Sequence, residues 1–299
     1  MNNFKNIIIG LLSLIVFVQS LFLFYFISRS RRVVSVSVQR EAEPENLLRG
    51  KAVAPDPVEP AEEKKFVSDR PVASSGKIVL VLDDWGYNLK NRDFITGNNY
   101  HVTVSILPFR TYSATIAKLA YDKDKDVIIH VPMEPESKGS YGLEDKTLLI
   151  GMSQEETDKI LQAALKDVPY AKGISNHMGS EATKNKRLMK IVMAFLKQNN
   201  LFFLDSVVTS KSVCSVCAKK AGVASIRRDV FIDNESDPAY IRKQVMKLAA
   251  KAKSSGIAVG IGHDRPMTIA VLEEVIPELE REGFEFVNLS QALNLRKDG

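Results

Sequence analysis

Hydrophobic positions divide the chain into three unlike stretches. From Ile7 to Ile27 the run IIIGLLSLIVFVQSLFLFYFI carries no charge, and Ser13, Gln19 and Ser20 are its only polar interruptions. Its 21 residues make about 31 Å of helix, enough to cross a hydrocarbon core of about 30 Å. Val18-Gln19-Ser20 offers a small-residue cleavage signal, but the apolar run continues past it, further than a signal-peptide core extends. An uncleaved transmembrane signal anchor is therefore expected over residues 1–28. Residues 29–76 mix charge with spaced prolines and show neither helical nor alternating periodicity. That composition cannot bury enough surface to offset chain entropy, so a disordered, solvated linker is expected there.

From Lys77 onward the pattern changes again. Short β-branched runs alternate with amphipathic stretches of 12–18 residues, which is the punctuation of an α/β fold. Strands are expected at 77–82, 102–107, 126–130, 172–176, 201–205, 222–226, 256–261 and 284–289. Ser153 with Glu156 makes a capping box, opening a helix whose Ile160, Leu161, Ala164, Leu165 and Val168 share one face. Asp237-Pro238 supplies an N-cap and a first-turn proline for the helix through Ala252, with Gly256 after its end. Seven or eight βα units in 77–299 imply one domain, either a doubly wound sheet or a (β/α) barrel.

Charge narrows the choice of partner. The 41 Lys+Arg against 36 Asp+Glu give +5, but ten basic and eight acidic residues lie in 1–76, so only +3 remains for 77–299. A nearly neutral domain without a basic stripe lacks the electrostatic footprint of nucleic-acid binding. The one local basic cluster, Arg29, Arg31 and Arg32, follows the apolar span. By the positive-inside bias alone it would put the C-terminal side in the cytoplasm.

In both candidate architectures, chemistry sits just past the carboxyl ends of the strands. Asp83 and Asp84 follow the first strand, His130 ends the third, and Asn176-His177 follows the fourth. Asp205 ends the fifth, Arg228 and Asp229 follow the sixth, and His263 follows the seventh. The chain has four histidines, and three of them fall on this edge. An Asp and two His suit a divalent metal with positions left open for water and substrate. Adjacent carboxylates on an extended strand point oppositely, so one could ligate while the other, swung by the turn at Gly86, accepts a proton from water. A further His would protonate the leaving group. Glu134, Asn176, Asp205, Arg228 and Asp229 are candidates for substrate contact or support, Arg227 and Arg228 either supporting Asp83 or solvating a loop. Met178 and Gly179 read as shape requirements of their turn.

The stretches LDDWG, HVPMEP, NHMGS, LDS, RRDVFID and IGHDRP, in that order, resemble the divergent polysaccharide deacetylase family, a distant branch of the NodB-like carbohydrate esterases. The resemblance covers Lys77–Leu293. It implies a distorted (β/α)7-type barrel, a divalent metal (commonly Zn2+) and removal of acetyl groups from an acetylated glycan such as peptidoglycan or another envelope polysaccharide. By the same resemblance Asp83 is the base, Asp84 a metal ligand and His263 the general acid. The family's usual His-x-x-x-His pair is absent: His130 has Glu134 four residues on, and His177 follows the next strand. The metal set implied is Asp84, His130 and His177. Glycan-active relatives work outside the cytoplasm, which implies a single-pass anchor with an extracytoplasmic domain, against the Arg-rich flank.

Other motifs carry less. Cys214 and Cys217 form one Cys-x-x-Cys pair, too few ligands for a structural zinc, and a local disulfide or two packed thiols is expected. Gly260-Ile261-Gly262 lacks the third glycine of a dinucleotide fingerprint, and no phosphate-cradling loop or nucleophile elbow occurs. The rival to an enzyme is a deacetylase-fold module that binds envelope glycan or a protein without turnover.

Overall fold

The computed structural model describes residues 75–137 and 142–295. The expectations of an anchor over 1–28 and, Ser75 and Gly76 apart, of a linker over 29–76 lie outside the described residues. Among the described residues no helix is long and apolar enough to cross a membrane.

Among the described residues nine strands occur in chain order: β1 (Gly76–Trp85), β2 (Val102–Ile106), β3 (Asp126–Met133), β4 (Ala171–Met178), β5 (Phe202–Asp205), β6 (Ser225–Arg227), β7 (Val230–Phe231), β8 (Ile257–His263) and β9 (Phe284–Phe286). The helices are α1 (Arg92–Thr96), α2 (Ser113–Tyr121), α3 (Gln154–Asp167), α4 (Lys186–Gln198), α5 (Cys214–Ala221), α6 (Pro238–Ser255), α7 (Pro266–Arg281) and α8 (Leu289–Leu295). The capping box at Ser153 and Glu156 forms as expected, as does the Asp237 cap with its following proline.

Every strand pair is parallel, and the sheet order is β6-β5-β4-β3-β2-β1-β8-β7. The two ends of that path, β6 and β7, are separated in sequence by Arg228 and Asp229 alone. The sheet has therefore curled until its edges are neighbours, but a chain crossing joins them where a closed barrel would have strand pairing. Arg228 N–H donates to Asp205 O on the β5 side, and Asp229 N–H to Val259 O on the β8 side. The expected distorted barrel is thus a parallel half-barrel with an unpaired seam. β9 pairs with Gly76–Ile78, while β2 takes up β1 from Leu80 onward.

Two strand expectations shift for local reasons. The 222–226 strand begins only at Ser225, because Gly222 at φ 67° ends α5 and the Val223 N–H caps it on Ala218 O. The 284–289 strand stops at Phe286, because Asp126 accepts from the Ser290 N–H and hydroxyl and so fixes the start of α8.

Period-two alternation sorts the side chains into two layers. Ile78, Leu80 and Leu82 of β1 face the helices, with Ile129 of β3 and Ile174 of β4. Val79, Val81, Ile128, Leu204, Val259 and Ile261 fill the interior, which Val287, Leu289, Ala292 and Leu293 close at its amino end. Continuing the inward positions by one step reaches Asp83, His130 and His263, and on β4 Ser175 and His177. The interior is dry at one end and ionisable at the other.

Candidate active site

Strict alternation would have put Asp83 and Asp84 on opposite faces. The register of β1 against β2 shifts between Leu82 and Trp85, and Asp84 takes a left-handed φ of 67°. That bulge, rather than the turn at Gly86, turns the second carboxylate toward the same cavity as the first. β4 ends comparably. Met178 (φ 51°) and Gly179 (φ 88°) turn the chain away directly after His177. A Cβ on Gly179 would meet the Met133 side chain at 2.9 Å, so the residue is a shape requirement. Asn176 secures the turn by donating to Met178 O and accepting from Ser206 N–H.

Asp84, His130 and His177 come together. Asp84 Oδ1 lies 3.2 Å from His177 Nδ1 and 3.5 Å from His130 Nε2, and the three ligand atoms all fall within 4.8 Å of one another. Neither contact is aligned as a hydrogen bond, and Asp84 Oδ1 is buried without a partner. An unpaired buried carboxylate oxygen is costly unless a cation meets it. Metal–nitrogen bonds of about 2.0–2.1 Å make a tetrahedral edge of about 3.3 Å, close to both measured separations. His130 is already prepared as a ligand. Burial, reinforced by His177 beside it, holds its imidazole well below the usual histidine range and hence neutral. Its Nδ1 is 2.7 Å from Ser175 Oγ, which in turn lies 3.0 Å from Ser105 Oγ, so the ring's orientation is set from behind. The donor set fits a divalent cation.

The two carboxylates are driven apart in acidity. Burial pushes Asp83 up to about 7, helped by the Asp84 charge and opposed by the Ser105 hydroxyl and by His263 and His177. Burial also acts to raise Asp84, but His177 and His130 beside it outweigh that and hold it well below the usual carboxylate range. His130 Nδ1 is 3.5 Å from Asp83 Oδ1, but that nitrogen is committed to Ser175 and leaves Asp83 Oδ1 unpaired. Paired carboxylates with opposite shifts mark a division of roles.

His263, register partner of Asp83 across the β1–β8 pairing, completes the edge. Its Nδ1 is 2.7 Å from Asp233 Oδ1, while Asp233 Oδ2 accepts from the His263 N–H at 2.9 Å and the Thr268 hydroxyl at 2.7 Å. Burial alone would lower His263, but the Asp233 bond and charge, with Asp84 and Asp83 beyond, raise it. The sequence reading missed Asp233. It lies in the RRDVFID stretch, two residues after β7, whose two-residue length gives alternation nothing to register.

The five remaining candidates do not join this cluster. Glu134 accepts from Ile150 N–H at 2.7 Å, tying the loop after β3 to its own strand end. Asn176 and Asp205 hold turns, Asp205 accepting from Val207 N–H and the Ser212 hydroxyl. Arg228 donates to Ser206 O and Val207 O, at 2.7 and 3.0 Å, so it neither supports Asp83 nor merely solvates a loop. Asp229 accepts from Val259 N–H. In these contacts all five hold turns and strand ends around the site. Cys214 and Cys217 are free, buried thiols, and the second of the two alternatives holds.

Comparison with known proteins gives the family and the fold. The chain is 36% identical over 220 residues to the uncharacterised protein YibQ of Escherichia coli K12, covering 74% of this chain and 68% of that protein. It is 36% identical over 209 residues to an uncharacterised protein of Haemophilus influenzae, covering 70% and 74%. The crystal structure of an uncharacterised protein from Agrobacterium tumefaciens C58 superposes with a TM-score of 0.70 at 20% identity, covering 74% of this chain and 90% of that one, a likeness of fold. Residues 80–293 match the model described as divergent polysaccharide deacetylase, the stretch that contains Asp83, the Asp84–His130–His177 cluster and the Asp233–His263 pair, and the chain belongs to that family.

Proposed function

We propose that this protein is a metal-dependent hydrolase that removes acetyl groups from an envelope polysaccharide. The observation that carries the reading is geometric: Asp84, His130 and His177 bring one ligand atom each to a common point, with the buried, unpaired carboxylate oxygens of Asp84 and Asp83 beside them. Asp84 Oδ1, His130 Nε2 and His177 Nδ1 would hold the cation, Zn2+ in the simplest case. When bound there, a divalent metal lowers the pKa of a coordinated water and polarises an acyl carbonyl.

The chain's own groups account for the proton movements. Asp83, with a carboxyl near 7, accepts one proton from the attacking water as its oxygen bonds the acetyl carbon. Asp233 favours the charged form of His263, and with Nδ1 engaged the ring delivers its Nε2 proton to the leaving nitrogen or oxygen. The C–N or C–O bond breaks, the acetyl group departs with the new oxygen as acetic acid, which gives the water's second proton to solvent, and the glycan keeps an amine or hydroxyl. Asp83 is left protonated and His263 neutral, so a net proton passage between them and solvent resets the site. Working outside the cytoplasm, tethered through the apolar stretch 7–27, belongs to the same proposal.

Metal analysis of the purified chain, followed by acetate release from peptidoglycan and chitin-like oligomers, tests the reading. We expect about one equivalent of metal, lost in Asp84→Ala and His177→Ala, and acetate release abolished with it. A folded protein that holds no metal, or one that binds glycan equally well after Asp83→Asn and never releases acetate, would sink it.

A further inference from the structure

The two halves of the site are joined in the sheet by the β1–β8 pairing, where Asp83 faces His263, and approach one another the other way round only across the seam between β6 and β7. Asp84, His130 and His177 stand on β1, β3 and β4, whereas His263 stands on β8 and its partner Asp233 lies just past β7. Across the seam there is no strand pairing. Beside the chain crossing there lies a stack of side chains running from Arg228 to β8. The Arg228 guanidinium lies 3.7 Å from the centroid of the Phe231 ring. Phe231 and His263 are nearly parallel, 17° apart with centroids at 6.2 Å. Both distances lie within the ranges for cation–π and offset aromatic contact.

Arg228 is itself fixed from the metal side. Its donations to Ser206 O and Val207 O hold a turn in which Val207 has a φ of 49°, an unfavourable conformation for a β-branched residue. Ser206 is bound in turn to Asn176, through Oδ1 and the backbone carbonyl, and Asn176 immediately precedes the ligand His177. A continuous set of contacts therefore runs from His177 through Asn176, Ser206, Arg228 and Phe231 to His263. Asp233 fixes the position of Nδ1, but a single in-plane bond leaves the soft ring torsion of histidine weakly restrained. The Phe231 ring is the nearly parallel face set against that torsion.

We propose that Phe231, anchored by Arg228, is a positioning residue that sets the ring plane of His263 relative to the metal half of the site; this rests on the acid role given to His263 above. Protonation of the leaving group matters for an alkoxide or amine and hardly at all for p-nitrophenolate. A positioning role for the acid therefore has a signature that general damage lacks.

The test compares the full metal-loaded chain with Phe231→Leu, Phe231→Tyr and Arg228→Lys on p-nitrophenyl acetate, on ethyl acetate and on acetylated chitin oligomers. Phe231→Leu and Arg228→Lys should keep their metal and their p-nitrophenyl acetate turnover. Their kcat on ethyl acetate and on the oligomers should fall about 10- to 100-fold, the scale of a misplaced catalytic group, with KM little changed. Phe231→Tyr, which keeps the ring, should restore it. Equal losses on all substrates with metal retained, or no loss on any, overturns the proposal while leaving the hydrolase reading intact. A wild-type chain inactive on every substrate removes the hydrolase reading instead. The stack is then judged by the nitrogen-15 spectrum of His263, whose imidazole should broaden in Phe231→Leu; a ring as well ordered as in wild type overturns the proposal.

Discussion

Replacing Asp233 by Asn would test whether His263 is held as a cation. The carboxylate accepts three hydrogen bonds, one at Oδ1 from the His263 ring and two at Oδ2 from the His263 N–H and Thr268 hydroxyl. An amide has one acceptor oxygen, so one side of the group must turn an N–H2 toward a donor. Hydrogen bonds to a charged group are worth about 1.5–3 kcal/mol each, and Asp233 is buried. A loss of about 2 kcal/mol is expected, or about 4–8 °C in melting temperature for a domain of this size. The loss should depend on pH in a defined sense. The folded pKa of His263 is raised, so its contribution is complete below the ordinary histidine value and fades as pH climbs through the folded value. Asp233 is lowered: burial opposes ionisation, but the His263 bond and charge with Thr268 outweigh it, and its contribution fades only in acid. The wild-type advantage should therefore be greatest near pH 6 and shrink on the alkaline side. Urea unfolding of both proteins between pH 5 and 9 measures it. An advantage that stays constant across that range would mean the ring is neutral throughout, and the acid role would go with it.

Three further outcomes follow from the same geometry. A cation bound at 100 times its Kd should add about 2.7 kcal/mol to unfolding stability, so zinc should raise the melting temperature of wild type and leave His177→Ala unmoved; equal shifts would place the metal elsewhere. Cys214 is pushed up to about 12, by burial first and by Asp205, and Cys217 is shielded by its own burial, so neither thiol should react with Ellman's reagent until the chain unfolds, when two equivalents should appear. Lys125, buried and lowered to about 8 by desolvation with Lys123 nearby, binds fewer protons folded than unfolded between pH 8 and its ordinary value. Stability should rise with pH across that window, and Lys125→Met should gain about 1–2 kcal/mol below pH 8, less the bond to Tyr100 O; a gain independent of pH in urea melts would refute this.

Legibility in the sequence followed the length of each element. Strands of seven to ten residues, such as β1, β3, β4 and β8, show their inward set by alternation alone. Asp83, His130, His177 and His263 fall on one edge by sequence alone, and Ser175, two residues before His177, is legible by the same rule. The seam was not. β6 and β7 have three and two residues, too few for a period. Arg228 and Asp229 looked like site residues because they follow a strand, when they are the crossing that joins two sheet edges. Asp233 and Phe231 went unread for the same reason.

The Asp83–Asp84 pair shows a different limit. Alternation predicts that one of two adjacent carboxylates faces away, yet both reach the same group of histidines. The conflict is resolved by a bulge with a non-glycine residue at φ 67°, a conformation that costs about 1 kcal/mol or more. No sequence signal announces it, since Asp tolerates the left-handed region only better than most residues. The strain is borne where it separates the acidity of two identical side chains. A fold stabilised only by its interior layers would have no reason to hold Asp84 there, and relaxing the bulge would turn that carboxylate away from His130 and His177. The strained residue and the unpaired oxygen are thus one feature, and a cation between the three side chains is what would make it stable.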